Sequence, residues 1–129
     1  MAASSGSLHE SSDQLRPETI DRHRAVVSIM EELEAIDWYD QRIDAATDQE
    51  LKDILAHNRD EEKEHATMML EWLRRHDPKL DEHLRTYLFA DRPVLEIEAA
   101  AEGGDGNAEA SQDGSLDIGS LRWTAKSGT

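Results

Sequence analysis

The chain has no cysteine. That excludes disulfides, thiolate nucleophiles and thiolate metal ligands, and it points to a cytosolic life. Aromatic residues are few, with one Phe, two Tyr and three Trp in 129 residues. Hydrophobic residues make up 37% and charged residues 33%, a lean supply for the core of a small monomer, so self-association is expected. Basic charge is outnumbered: 14 Lys and Arg against 29 Asp and Glu leave a net charge of −15. Such a chain repels nucleic acid and anionic membranes and suits divalent cations or basic partners. No apolar run approaches the roughly 20 residues of a membrane span. The start, "MAASSGSLHESSDQ", lacks the basic and apolar regions of a signal peptide.

What is present is helical patterning. Residues 1–15 are Ser-rich and polar and are expected to be disordered. Pro17 suits a first helical turn and opens a pattern that runs to about Ala45, with Val26, Ile29, Leu33, Ile36 and Ile43 along one stripe. Thr47 and Glu50 fit a capping box, and a second long helix is expected from about Asp48 to Arg75. Pro78 ends that helix and, with Asp77, starts a shorter one through about Phe89. "DRPVLEIEAAA" reads as a short segment, helical or extended. Residues 101–114 read as a flexible acidic linker, and residues 115–129 hold an apolar island, "SLDIGSLRW". The reading is all-α: one domain over residues 16–100, made of an antiparallel two-helix hairpin plus a short C-terminal helix.

The second long helix carries an unusual seam. Leu51, Leu55, Asn58, Glu62, His65, Met69 and Trp72 fall in alternating steps of four and three, the spacing of a face that buries itself against a partner. Three consecutive seam positions are polar. Asn58 can fix register, as buried Asn does in coiled coils. A carboxylate in a dry seam must be neutralised, paired or bound to metal. Glu62 and His65, three apart, reach a common point, and Fe, Mn and Zn accept mixed oxygen and nitrogen ligands. Glu32 of the first helix lies beside its apolar stripe, with Tyr39 further along the same edge. Glu31 and Glu34 point toward a second face that also holds Val27, Met30 and Trp38. Ferritin-like di-metal centres take a Glu from each of two helices and a Glu-x-x-His from each of two others. This chain holds one such set on two helices, so it reads as half a bundle that a two-fold copy completes. His57, Glu61 and Glu64 share a flank of the second helix and read as a solvated face or a weak surface cation site. His9, His23, His76 and His83 read as solvated, and Met68 and Met69 as packing.

"HRAVVSIMEELEAIDWYDQRIDA", "ILAHNRDEEKEHATMMLEWLRR" and "HLRTYLF" together resemble the encapsulated ferritins, ferritin-like cargo proteins of bacterial encapsulin nanocompartments. The resemblance implies a ferroxidase centre at a two-chain interface, with Glu32, Glu62 and His65 of each chain binding two irons and Tyr39 beside them. It implies a ring-shaped decamer in the bacterial cytoplasm, held inside an encapsulin shell. Glu31 and Glu34 would attract metal. His57, Glu61 and Glu64 would hold Ca²⁺ or another divalent cation at the periphery. "SLDIGSL" resembles the cargo-loading peptide, with Asp117 where glycine is usual; Leu116, Ile118 and Leu121 would fill a groove on the shell wall. The ligand set alone leaves open a di-manganese or rubrerythrin-like peroxidase, and the helices alone a dimerisation adaptor.

Overall fold

A computed structural model describes residues 6–103; the expected cargo-loading peptide and most of the acidic linker lie outside them. The described residues are helical, with no strand among them. They fall into two units that meet between Asp77 and Pro78.

In the first unit, a 3-10 turn at Ser12–Gln14 precedes α1, Pro17–Ala45. The Ser11 hydroxyl bonds the Asp13 carboxylate there, so part of the stretch expected to lack structure forms a local turn. Pro17 stands in the first turn of α1, where its missing N–H costs nothing. The connection to α2, Gln49–Arg75, is three residues, Ala46 to Asp48. The cap of α2 is Asp48, not the expected Thr47: its Oδ2 accepts the Leu51 amide at 2.9 Å. The helix starts one residue later than the Thr47–Glu50 box requires. A short carboxylate in extended backbone geometry then satisfies the third amide of the helix, and its charge complements the positive end of the helix dipole. Arg74 and Arg75 fall in the last turn, where cations are favoured.

Helices α1 and α2 pack along their lengths as an antiparallel hairpin. The buried line on α1 differs from the expected stripe. Ala25 is 2% exposed, whereas Val26 and Leu33 are 43% and 55% exposed. The half-buried positions Ile29, Glu32, Ile36, Tyr39 and Ile43 continue from Ala25 in steps of four and three. Glu32 therefore stands within the hairpin seam, and Val26 and Leu33 stand outside it. The expected α2 seam is present from Leu55 on, with Leu55, Asn58, Glu62, His65, Met69 and Trp72 all half-buried, whereas Leu51, expected to start it, is exposed near the helix N-terminus.

The second unit holds α3, Pro78–Tyr87, and α4, Val94–Gly103, which contact each other. Ile97 of α4 is buried. Phe89 carries a left-handed φ of 63° in the connection. The segment read as helical or extended is helical, and it continues through Gly103, so the first residues assigned to the linker belong to α4. Among the described residues, Ala25, Leu73 and Ile97 are the only buried apolar residues, and no helix is long and apolar enough to cross a membrane.

Candidate metal centre

The seam positions of α1 and α2 bring Glu32, Glu62 and His65 to one point. One ligand atom from each lies within 4.8 Å of the other two. No other group of three or more potential ligands comes together in this way among the described residues. The His65 Nδ1 is 3.0 Å from Glu62 Oε1 and 3.8 Å from Glu32 Oε2. A carboxylate only accepts, so Nδ1–H donates to Glu62 in the metal-free protein. All three side chains are half-buried.

Electrostatics set the state of this cluster. Partial burial pushes the Glu32 carboxyl above its ordinary value, and the hydrogen bond and charge of Glu62 push it further. His65 opposes the shift and Glu31 adds to it. Two carboxylates forced together repel each other when ionised, and a cation bound between them relieves that repulsion. The donor set of two carboxylate oxygens and one imidazole nitrogen fits Fe, Mn or Zn. One chain supplies only three ligands, short of a closed coordination sphere for any of these.

The other predicted residues are distributed around this point. Tyr39 is half-buried two turns along α1, with the Arg42 guanidinium 5.6 Å from its ring centre and 5.9 Å from that of Trp38. Glu31 is exposed and Glu34 half-buried, and neither joins the ligand group. Glu61 stands between two imidazoles, with His57 Nε2 3.4 Å from one oxygen and His65 Nε2 4.0 Å from the other. Glu64 is exposed and lines an open groove on α2 with Lys63, Thr67 and Met68. Two features escaped the sequence reading. Arg42 follows Tyr39 at helical i,i+3 spacing, a signal that was available. Arg59 of α2 bonds Asp40 of α1 at 3.0 Å, a pairing that needs the register of the hairpin to be known.

A family model described as EncFtn-like matches residues 7–91. The chain is 62% identical to the encapsulated ferritin-like protein of Rhodospirillum rubrum, over 97% of this chain and 94% of that one. It is 52% identical to the ferritin-like protein of Thermotoga maritima, over 77% and 87% of the two chains. Identity to the encapsulin nanocompartment cargo protein EncC of Myxococcus xanthus is 33%, over 74% and 80%. Among solved structures, protein ne0167 from Nitrosomonas europaea matches with a TM-score of 0.66 and 57% identity, over 67% of this chain and 96% of that one. Glu32, Glu62 and His65 thus sit in a hairpin whose sequence is shared along most of its length with ferritin-like relatives, and the chain belongs to the EncFtn-like family.

Proposed function

We propose that the chain is a ferroxidase carried as cargo inside an encapsulin shell in the bacterial cytoplasm. The observation that carries this reading is the convergence of Glu32, Glu62 and His65 in a seam where apolar contacts would otherwise stand. Fe²⁺ is the substrate. Two ions give one electron each to O₂, which takes up two protons and leaves as hydrogen peroxide, with two Fe³⁺ remaining. Anionic oxygen ligands favour the ferric product. Glu32 and Glu62 bind iron as carboxylates, since a ligand must be deprotonated.

A second copy about a two-fold axis supplies the other Glu and Glu-x-x-His set and completes four helices. Such dimers assemble into a ring-shaped decamer in this reading. The apolar residues left exposed on the hairpin, Val26, Leu33, Trp38, Ile54 and Met68 among them, give these contacts their driving force. Glu31 and Glu34 attract Fe²⁺, Tyr39 lies beside the completed centre, and His57, Glu61 and Glu64 hold Ca²⁺ or another divalent cation at the periphery. Leu116, Ile118 and Leu121, outside the described residues, dock on the shell, and the preceding acidic segment tethers the cargo at high effective concentration. Mineral storage belongs to the shell.

The test is aerobic Fe²⁺ oxidation followed by ferric absorbance. Glu62→Ala and His65→Ala are expected to slow the wild-type rate by at least about tenfold, as loss of metal-site groups does. Deletion from Ser115 onward is expected to leave the rate intact and abolish co-purification with the shell protein. A wild-type rate no faster than the two variants overturns the reading and leaves a non-catalytic helical adaptor.

A further inference from the structure

The ligand cluster is built from two helices, and its carboxylates repel each other when ionised. The seam on either side of it is mostly apolar, with Ala25, Ile29, Ile36, Leu55 and Met69; Asn58 and Tyr39 are its polar positions, and neither makes a side-chain hydrogen bond across it among the described residues. Such contacts are non-directional and leave small rotations of one helix against the other cheap. A rotation of α2 by a fraction of the roughly 100° between successive residues already swings Glu62 and His65 away from Glu32. Something directional must hold the angle.

Arg59 supplies that direction. Its Nη1 donates to Asp40 Oδ1 on α1 at 3.0 Å, while its Nε donates to Asp60 Oδ1 on its own helix at 3.1 Å. The guanidinium is planar and its donors are fixed in a fork, so bonding both aspartates fixes the rotation of α2 as well as its position along α1. Arg59 is half-buried while Asp40 is exposed, so the bridge contributes direction more than strength. Its place in the chain matters. Arg59 precedes Glu62 by one helical turn, and Asp40 follows Tyr39 directly. Many of the other ion pairs, such as Arg24–Asp21, Lys79–Glu82 and Arg85–Asp81, lie within a single helix. They stiffen a helix and say nothing about its partner.

We infer that the Arg59–Asp40 bridge is a positioning device for the metal centre, setting the register at which Glu32 meets Glu62 and His65. The inference rests on the metal-binding role proposed for those three residues. Neither Arg59 nor Asp40 touches the cluster, and the bridge acts through the two helices that carry it. Asp60 has its own part, since it holds the guanidinium in the plane from which Asp40 is reached.

Titration of the full chain with Co²⁺ alone, followed by its visible absorption, tests this. Arg59→Ala and Asp40→Ala are expected to weaken Co²⁺ binding by roughly tenfold, the low end of what groups that orient metal ligands contribute. The double variant Asp40→Arg/Arg59→Asp restores the bridge with its polarity reversed. It is expected to bind within about threefold of wild type, because coupled neighbours rescue each other. Glu71→Ala is the control. It breaks the clamp to Arg74 and Arg75 on the same helix and is expected to leave Co²⁺ affinity unchanged. Wild-type affinity in Arg59→Ala overturns the inference, as does an equal loss in Glu71→Ala or no recovery in the double variant. If wild type binds Co²⁺ no better than Glu62→Ala, the metal reading itself falls, and the inference with it.

Discussion

Glu32 is the residue whose state the hairpin perturbs most directly. Its carboxyl is raised above the ordinary 4.5 by burial first and by Glu62 second. The folded metal-free chain therefore holds this proton more tightly than the unfolded chain does. The stability so gained is fully present below pH 4.5 and is lost as pH rises through the raised folded value. At neutral pH the metal-free protein carries the cost of an ionised Glu32 beside Glu62, and a bound cation removes it. Glu32→Gln keeps a hydrogen-bonding group of the same shape without the charge. At pH 7 it is expected to raise the melting temperature of the metal-free protein above wild type and to weaken metal binding. Thermal melts with and without Fe²⁺ under argon check both; a variant that melts lower without metal contradicts the assigned cause of the shift. Glu71 has the opposite sign. Its bonds to Arg74 and Arg75 hold it down at about 2, so its contribution is present at neutral pH and is lost as pH falls from 4.5 toward that value.

At the scale of the element, the helices were legible where proline and charge mark their ends, and less so where several residues could serve as cap. Pro17 and Pro78 each open a helix, as their fixed φ allows. Between α1 and α2, Thr47 and Asp48 are both good caps one residue apart, and spacing alone does not separate them. The structure selects Asp48, whose carboxylate takes the Leu51 amide. Asp48→Ala is expected to cost about 1 kcal/mol of stability, and Thr47→Ala well under half of that, in urea denaturation at fixed chain concentration. Equal losses would restore the Thr47 box. The meeting of Glu62 and His65 on α2 was legible because, with Asn58, they interrupt an otherwise apolar seam. The true seam of α1 was not. Its apolar residues run around most of the helix circumference, and Val26 and Leu33 are bulkier than the Ala25 that lies between the helices. Hydrophobicity reports burial without saying which partner does the burying, so a face meant for another chain reads as strongly as the face meant for this one. The bridge from Arg59 to Asp40 was illegible for a related reason: it joins residues far apart in sequence, and only the hairpin register brings them together.

At the scale of the whole molecule, that displaced stripe is what links packing to chemistry. Glu32 occupies the inner line of α1, while Val26 and Leu33 present a separate apolar edge one residue round the helix. A single chain gives three ligands and leaves that edge in water. Burying an exposed Leu or Val contributes on the order of 1.5–3 kcal/mol each, so covering two such edges in a symmetric pair is a substantial drive to associate. In the proposed two-fold pair the same event would double the ligand set from three residues to six. Association and catalysis should therefore fail together when the edge is made polar, even with every ligand intact. Leu33→Glu is expected to shift the protein to monomer in native mass spectrometry, to weaken metal-induced assembly, and to lower Fe²⁺ oxidation by at least about tenfold. Far-ultraviolet circular dichroism should stay helical, since Leu33 lies outside the hairpin seam. Oxidation at the wild-type rate by a Leu33→Glu monomer would show that one chain suffices and would remove the half-bundle from the mechanism.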